Sequence, residues 1–273
     1  MQREVSLHLP ALRIVSLVPS QTELLFAIGA GQSVVGVTKF CTEPPEAAAK
    51  VAKIGGTKKF DFGVIAALKP DLIIGNKEEN YPAGIDQLAQ DYPVWMSDIV
   101  TLDDSLAMIR QIGLLSGRSI AANDMASKIE TQFDDLRKTV STDPGQASTP
   151  LLNTPAKQFI PLVNVAYFIW QKPYMVAAGG TFIDEVLKLG GMVNVFSGLK
   201  RYPEIELESV RDSDAEVVLL SSEPYPFREK HLAAFQQALP DQKIILVDAM
   251  PFSWYGSQLL RTAAYLRQLR MQF

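Results

Sequence analysis

Two sets of side chains in this 273-residue chain have the types and positions to hold a small molecule. The first is aromatic. Sixteen of the 24 Phe, Trp and Tyr residues lie from position 159 onward, many in proline-bearing stretches such as WQKPY (170–174), EPYPF (223–227) and MPFSWYG (250–256). Proline presets the turn, so such loops hold their rings rigidly. One loop aromatic is commonly a cover for the core, but several in successive loops suit a large, flat, partly apolar ligand. The candidates are Trp170, Tyr174, Tyr202, Tyr225, Phe252 and Trp254, with Phe40 and Tyr81 from the first half. The second set is polar and follows the apolar runs of the first half: Ser20 and Gln21, Thr57 and Lys58, and Asn76.

Covalent chemistry finds less support. A Cys or Ser nucleophile needs a base, usually His, and a third group to orient it. The chain has one cysteine, Cys41, and two histidines. His8 stands near the N-terminus, and His231 lies in REKHLAAFQQAL, which reads as a surface helix. WYGSQ (254–258) lacks the second glycine of a nucleophile elbow. Glu78 and Glu79 are adjacent loop carboxylates, the ordinary state of which is solvated. No catalytic residue is assigned, and so few Cys and His leave no protein metal site to expect.

Two glycine-rich stretches need weighing. GAGQSVVG (29–36) precedes a strand, whereas a dinucleotide fingerprint must follow one, so these glycines read as a helix stop. AAGGTF (177–182) precedes a helix with Thr181 as N-cap. Its amides can face an anionic group, and a tight turn explains it equally well.

The elements that carry these residues follow an α/β grammar. RIVSLVP (13–19) reads as a buried strand, and Ser20 to Glu23 fits a capping box opening a helix. SVVGV (33–37) is the next strand, and DFGVIAALKPDLIIG (61–75) is an Asp-capped helix ended at Pro70, then a strand. TELLFAIGAGQSVVGV (22–37) lines up with TFIDEVLKLGGMVNVF (181–196), and FDFGVIAALKPDLIIG (60–75) with IELESVRDSDAEVVLL (205–220). Two similar halves are expected, with KFCTEPPEAAAKVA found only in the first. Between them Met125, Ile129, Phe133 and Leu136 form one helical stripe. The predicted organisation is an α/β lobe over 1–120, a connecting helix over 121–140 and a second α/β lobe over 141–273, with 141–158 a proline-bearing linker. A stiff connector implies a bilobal protein with a cleft and limited closure.

Composition agrees with a folded binding or catalytic protein. Hydrophobic residues are 47% and charged residues 21%, and the formal charge of −4 offers no footprint for nucleic acid. FIPLVNVAYFIW (159–170) is too short and polar for a membrane span. The first twenty residues show no secretion signal. The chain as written is therefore expected in the cytoplasm, and in the periplasm or at the cell surface if an export signal has been removed.

The series RIVSLVPSQTELLFAIGAGQSVVGVT, PPEA, IGG, IAALKPDLIIG and KPYMVAAGGTFIDEVLKLGGMVNVF resembles the helical-backbone (class III) substrate-binding proteins of ABC importers, which include cobalamin, ferric-siderophore and haem receptors. The likeness runs from about Arg13 to about Leu269, apart from 141–158. It implies two Rossmann-like lobes joined by one long backbone helix, ligand bound between them without catalysis, and no cofactor of the protein's own. It also implies a monomer that works with an importer permease.

The chain departs from the cobalamin receptors at three points. Thr57 and Asn76 stand where those receptors carry cleft tryptophans, though Tyr202 keeps an aromatic at a third position and Trp170 and Tyr174 lie in another lining loop. Glu208 matches the docking carboxylate of the second lobe, while Gly63 stands where the first lobe's is expected. An export signal or lipoprotein cysteine is not evident, so an exported receptor and an intracellular relative both fit. The aromatic loops favour a cobalamin-like or other tetrapyrrole ligand. A ferric siderophore is the alternative, since Lys58, Lys59, Lys77 and Arg201 suit its anionic groups. Haem would draw on Tyr81 as axial ligand. An enzyme using Cys41 or Glu78 and Glu79, and a module that binds only a protein partner, are the remaining classes.

Overall fold

The computed structural model describes residue 7, residues 9–140 and residues 161–273. The expected linker over 141–158, and His8, lie outside the described residues. The chain divides into two compact units. The first holds the residues through Ile99, then Asp103–Ile129 and Tyr255–Ser257; the second holds Val100–Leu102, Glu130–Trp254 and Gln258–Phe273.

The first unit carries β1 (Ile14–Ser16), α1 (Pro19–Ala27), β2 (Val34–Val37), α2 (Pro45–Ala48) and β3 (Ala52–Lys53). A two-stranded ribbon, β4 (Gly55–Gly56) with β5 (Lys59–Phe60), leads into α3 (Phe62–Leu68), β6 (Leu72–Asn76), α4 (Pro82–Asp91) and β7 (Val94–Ser97). Helices α5 (Leu102–Leu115) and α6 (Ser119–Arg137) follow, and the chain passes into the second unit within α6. The second unit carries β8 (Val163–Trp170), β9 (Met175–Val176), α7 (Phe182–Leu189), β10 (Met192–Asn194), α8 (Leu207–Arg211), β11 (Val217–Ser221), α9 (Glu229–Ala238), β12 (Lys243–Val247), α10 (Met250–Ser253) and α11 (Leu259–Arg270).

Both units are α/β. The first sheet runs β3-β2-β1-β6-β7, all parallel. The second runs β10-β8-β11-β12, also parallel, with β9 antiparallel on β8. The central strands are apolar runs buried on both faces, as parallel sheets require: β1 and β6 are fully buried, as is β11. Setting β1 against β8, β2 against β10, β6 against β11 and β7 against β12 gives one strand order in both sheets. The internal likeness read from sequence is thus a likeness of topology. The segment peculiar to the first half supplies α2 and β3, which adds a fifth strand beside β2.

Local rules account for the boundaries. Asp61 caps α3 by accepting from the Val64 amide, and Thr181 caps α7 by accepting from the Asp184 amide. Gly29, at φ 79°, closes α1 in the left-handed region where a side chain is strained. Met125, Ile129, Phe133 and Leu136 are all buried along α6. The expected capping box at Ser20 does not form. Helix α1 starts one residue earlier, with Val18 as N-cap and Pro19 in the first turn, where its missing N–H costs nothing. Ser20 is buried inside that turn, and Glu23 instead accepts from the Ser257 hydroxyl.

Candidate functional site

In an open α/β sheet, ligands settle beyond the carboxyl ends of the strands where successive connections leave in opposite directions. In the first unit that point lies between β1 and β6, because the chain leaves β1 toward β2 and leaves β6 toward β7. In the second it lies between β8 and β11. These two places have different chemistry.

The first-unit face is a buried amide and hydroxyl network. Gln21, in the first turn of α1, donates through Nε2 to Ser97 Oγ at 2.6 Å, at the end of β7. Asn76, ending β6, donates through Nδ2 to the same oxygen at 3.0 Å and accepts the Glu78 and Glu79 amides on Oδ1. Asn80 accepts the Asn76 amide and donates to the carbonyls of Leu17 and Thr57, tying three post-strand loops together. Thr57 therefore serves this network through its backbone. Lys58 Nζ donates to the Glu78 carbonyl, and Lys77 pairs with Asp98, so both lysines are engaged within the unit. Tyr81 stacks at a tilt on Phe60 and leans over Gly84, where a Cβ would meet its ring at 2.2 Å. Phe40 is exposed with the Lys39 ammonium over its ring.

The second-unit face is aromatic. Trp170 ends β8 and is 39% exposed. Its ring meets Tyr225 edge-on at 5.6 Å, and the Tyr225 hydroxyl donates to Gln171 Oε1 at 3.0 Å. Below it, His231 packs edge to face against both Tyr225 and Phe227, which meet each other at a tilt. His231 is not on a surface helix face. It is buried, and its Nδ1 accepts the Arg228 amide, capping α9. The ring hydrogen then sits on Nε2, directed at the Tyr225 oxygen 3.4 Å away. Tyr167 and Ser221, from the ends of β8 and β11, share a hydrogen bond at 3.0 Å, and burial pushes the Tyr167 phenol well above its ordinary range. Glu223 accepts from the Trp254 indole; partial burial raises its carboxyl despite that bond.

Other aromatic candidates have structural duties. Tyr174 packs edge-on against Phe168 and Phe235 in the core of the second unit. Phe252, a ligand-lining candidate by its sequence position, is 0% exposed on α10, held between Tyr167 and Tyr265. Its place after β12 misled because a four-residue helix turns it inward. Tyr202 is half-buried on the stretch that pairs with the backbone from Met175 to Gly179. Beside it a cavity of about 530 Å³ is lined by Gly179, Gly180, Gly198, Lys188, Lys200 and Arg201, with Asp184 bound by Lys188 and Asn194. This is where the AAGGTF stretch opens α7.

Cys41 offers no catalytic arrangement. Its sulfur is fully buried between the hydroxyls of Thr22 and Thr38, and burial pushes the thiol up. Among the described residues no group of three or more His, Cys, Asp or Glu side chains is placed to hold a metal ion, and no helix is long and apolar enough to cross a membrane.

Sequence reading passed over Ser97 and Glu223. Each lies within a few residues of a strand end, which is the signal that could have found them.

Paired α/β units with matching topology, each with a built face at its switch point, define a ligand-binding protein of the bilobal class. The model of the periplasmic binding protein family matches residues 14–244, and the chain belongs to that family. The vitamin B12-binding protein of Vibrio cholerae serotype O1 is 28% identical over 263 residues, covering 95% of this chain and 88% of that one. Among solved structures, the periplasmic vitamin B12 binding protein of Vibrio cholerae superposes with a TM-score of 0.78 at 23% identity, covering 96% of this chain and 98% of that chain. The periplasmic haem-binding protein of Roseiflexus sp. RS-1 in its apo form gives 0.74 at 23%, covering 95% and 96%. At these identities the structural matches establish the fold.

Proposed function

We propose that this protein binds a cobalamin-like ligand for an ABC importer and performs no catalysis on it. The observation that carries this reading is the Trp170–Tyr225 pair, a half-exposed aromatic surface at the switch point of the second sheet. A corrin is flat and apolar on its faces and bears carboxamides at its edge. The aromatic face of the second unit suits the first of those chemistries. Similarity to the Vibrio cholerae vitamin B12-binding protein over 95% of the chain supports the same ligand class. Trp170, Tyr202, Tyr225 and Trp254 would meet the ring system; of the first-unit candidates, Phe40, Lys58 and Tyr81 keep accessible side-chain surface, whereas Ser20, Gln21, Thr57 and Asn76 are buried. Glu208, exposed on α8, would meet the permease.

A second reading, an anionic ferric chelate, draws on the cavity beside Lys188, Lys200 and Arg201. Tryptophan quenching titrations with cyanocobalamin, hemin and a ferric siderophore separate the two. Saturable quenching by cyanocobalamin at micromolar or lower concentration is expected. A response confined to the siderophore supports the second reading, and silence with all three overturns both.

A further inference from the structure

We infer that the cavity beside Tyr202 is a phosphate subsite, in which Lys200 and Arg201 hold the phosphodiester of the ligand's nucleotide tail. The inference rests on the cobalamin-like reading, because that phosphodiester is the one anionic substituent of cyanocobalamin. The cavity, of about 530 Å³, is walled by second-unit residues and sets Lys188, Lys200 and Arg201 against a single carboxylate, Asp184. Asp184 is 3% exposed and both its oxygens are engaged, Oδ1 by Asn194 Nδ2 at 2.9 Å and Oδ2 by Lys188 Nζ at 2.9 Å. Its charge is thus spent on Lys188, and Lys200 and Arg201 carry the excess positive charge of the wall.

The backbone sets both residues in place. The Arg201 amide donates to the Gly179 carbonyl at 2.9 Å, the Ala178 amide donates to the Arg201 carbonyl at 2.7 Å, and Lys200 pairs alongside Gly179. Arg201 holds φ 60°, a left-handed conformation that a residue with a side chain keeps only where its surroundings enforce it. Charge-assisted bonds from a preset guanidinium to phosphate are among the stronger hydrogen bonds. Gly198 is an independent sign. It lies outside the left-handed region, and a Cβ there would meet no atom within 4 Å, so neither backbone nor packing demands glycine. Gly179 differs, since a Cβ on it would meet the Ser197 carbonyl at 2.1 Å. A side chain at Gly198 would take up space at the cavity wall, and glycine leaves that space to a ligand. The loop that carries Lys200 and Arg201 leaves β10, the parallel neighbour of β8, which ends at Trp170. Neighbouring strands are about 4.8 Å apart. The charged cavity and the aromatic surface therefore lie side by side at the carboxyl end of one sheet, within the span of one ligand.

The test crosses a protein change with a ligand change. Cyanocobalamin and dicyanocobinamide, which has the same corrin but no nucleotide tail, are titrated against wild type, the Lys200→Gln/Arg201→Gln double variant and Gly198→Leu, with melting curves on all three. The double variant is expected to lose about tenfold in affinity for cyanocobalamin and nothing for dicyanocobinamide. Gly198→Leu keeps both charges but fills the space, and should repeat that pattern. Equal losses for the two corrinoids, or full cyanocobalamin affinity in a folded double variant, overturn the inference. If the double variant does not melt cooperatively, Gly198→Leu decides by the same criteria. If neither variant folds, the wild type decides: a preference for cyanocobalamin that millimolar inorganic phosphate abolishes supports the subsite, and equal affinity for both corrinoids overturns it. Wild type that binds neither corrinoid fails the functional reading. The anion site then stands on inorganic phosphate alone: a higher wild-type melting temperature in phosphate than in chloride of equal ionic strength keeps it, and no rise overturns it.

Discussion

Tyr225 stands edge-on to Trp170, with ring centroids 5.6 Å apart and planes crossing at 67°. The contact joins the last residue of β8 to the loop that follows its neighbour β11. Tyr225 is itself fixed from two sides, by Gln171 on its hydroxyl and by His231 and Phe227 against its ring. A ring pinned in this way loses little freedom on binding, and preorganisation of that kind favours affinity.

Replacing Trp170 by Ala is expected to weaken cyanocobalamin by about 1–1.5 kcal/mol beyond the loss of buried area. Adding Tyr202→Ala should cost a similar amount. Tyr225→Phe keeps the ring and removes the bond to Gln171, so its effect should be smaller than that of Trp170→Ala. Isothermal titration of the three variants checks the order. Full affinity in the Trp170 and Tyr202 double variant would take both residues out of the site.

Phe252 tests the distinction between a lining aromatic and a core one. Phe252→Ala is expected to destabilise the protein by about 3–5 kcal/mol, the range for a buried aromatic replaced by a methyl group. Trp254→Ala, at a half-buried position, should cost much less. Urea unfolding of both variants reads the difference. A Phe252→Ala protein of near wild-type stability would show that the ring is not part of the core.

Much of this architecture is legible in the residues, and the reasons are local. Leu72 to Asn76 and Val217 to Ser221 are short apolar runs with few alternatives to a buried strand, and Asp61 and Thr181 sit where a cap must be. The site is harder to read because it depends on which strand ends become neighbours. Gln21 and Ser97 are 76 residues apart, and nothing in either segment marks their hydrogen bond. Phe252 and Trp254 look alike in MPFSWYG, yet one turn of helix sends the first into the core. His231 has the spacing of a surface helix residue, but its Nδ1 is recruited as a cap, which buries it.

Cys41 should behave as an inert core thiol. Burial raises its pKa above the ordinary value, so the thiolate is scarcer at every pH below that value than in a free cysteine. Native protein at pH 8 is therefore expected to react with a thiol reagent far more slowly than the urea-unfolded chain, whose rate should climb with pH in the ordinary way. Cys41→Ala should leave cyanocobalamin affinity unchanged and cost about 1 kcal/mol of stability. Fast labelling of the folded protein would reopen a chemical role for this residue.

Glu223 gives a pH dependence with a defined sign. Its carboxyl is raised in the folded state, chiefly by burial, so the folded protein holds that proton more tightly than the unfolded chain. Stability contributed here is full below the ordinary carboxylate pKa of about 4.3 and falls as pH rises through the window up to the raised value. Glu223→Gln removes the charge while its amide oxygen still accepts from the Trp254 indole. Melting temperatures should place this variant above wild type at pH 7 by no more than a few degrees and level with it near pH 3. A variant less stable than wild type at pH 7 would show that the charged form is favoured in the fold.

Gly63 and Glu208 are counterparts in the two halves. Each is the second residue of the helix that precedes a central strand, α3 before β6 and α8 before β11, and each is exposed. If a carboxylate on this helix engages the permease, only the second unit presents one at that position. Glu208→Lys should then leave the melting temperature and cyanocobalamin affinity nearly unchanged, since surface changes usually stay within about 0.5 kcal/mol. It should nevertheless reduce the stimulation of a cobalamin importer's ATPase in vesicles. Gly63→Glu is the informative complement. A Cβ at this position lies 3.4 Å from Asp61 Oδ1, so the new side chain fits, and its charge joins the carboxylate that caps α3. Stronger stimulation by Gly63→Glu would mean the permease still offers a cation to the first unit. An unchanged rate would mean that docking relies on Glu208 alone, and no stimulation by the wild type would remove the docking role from both helices.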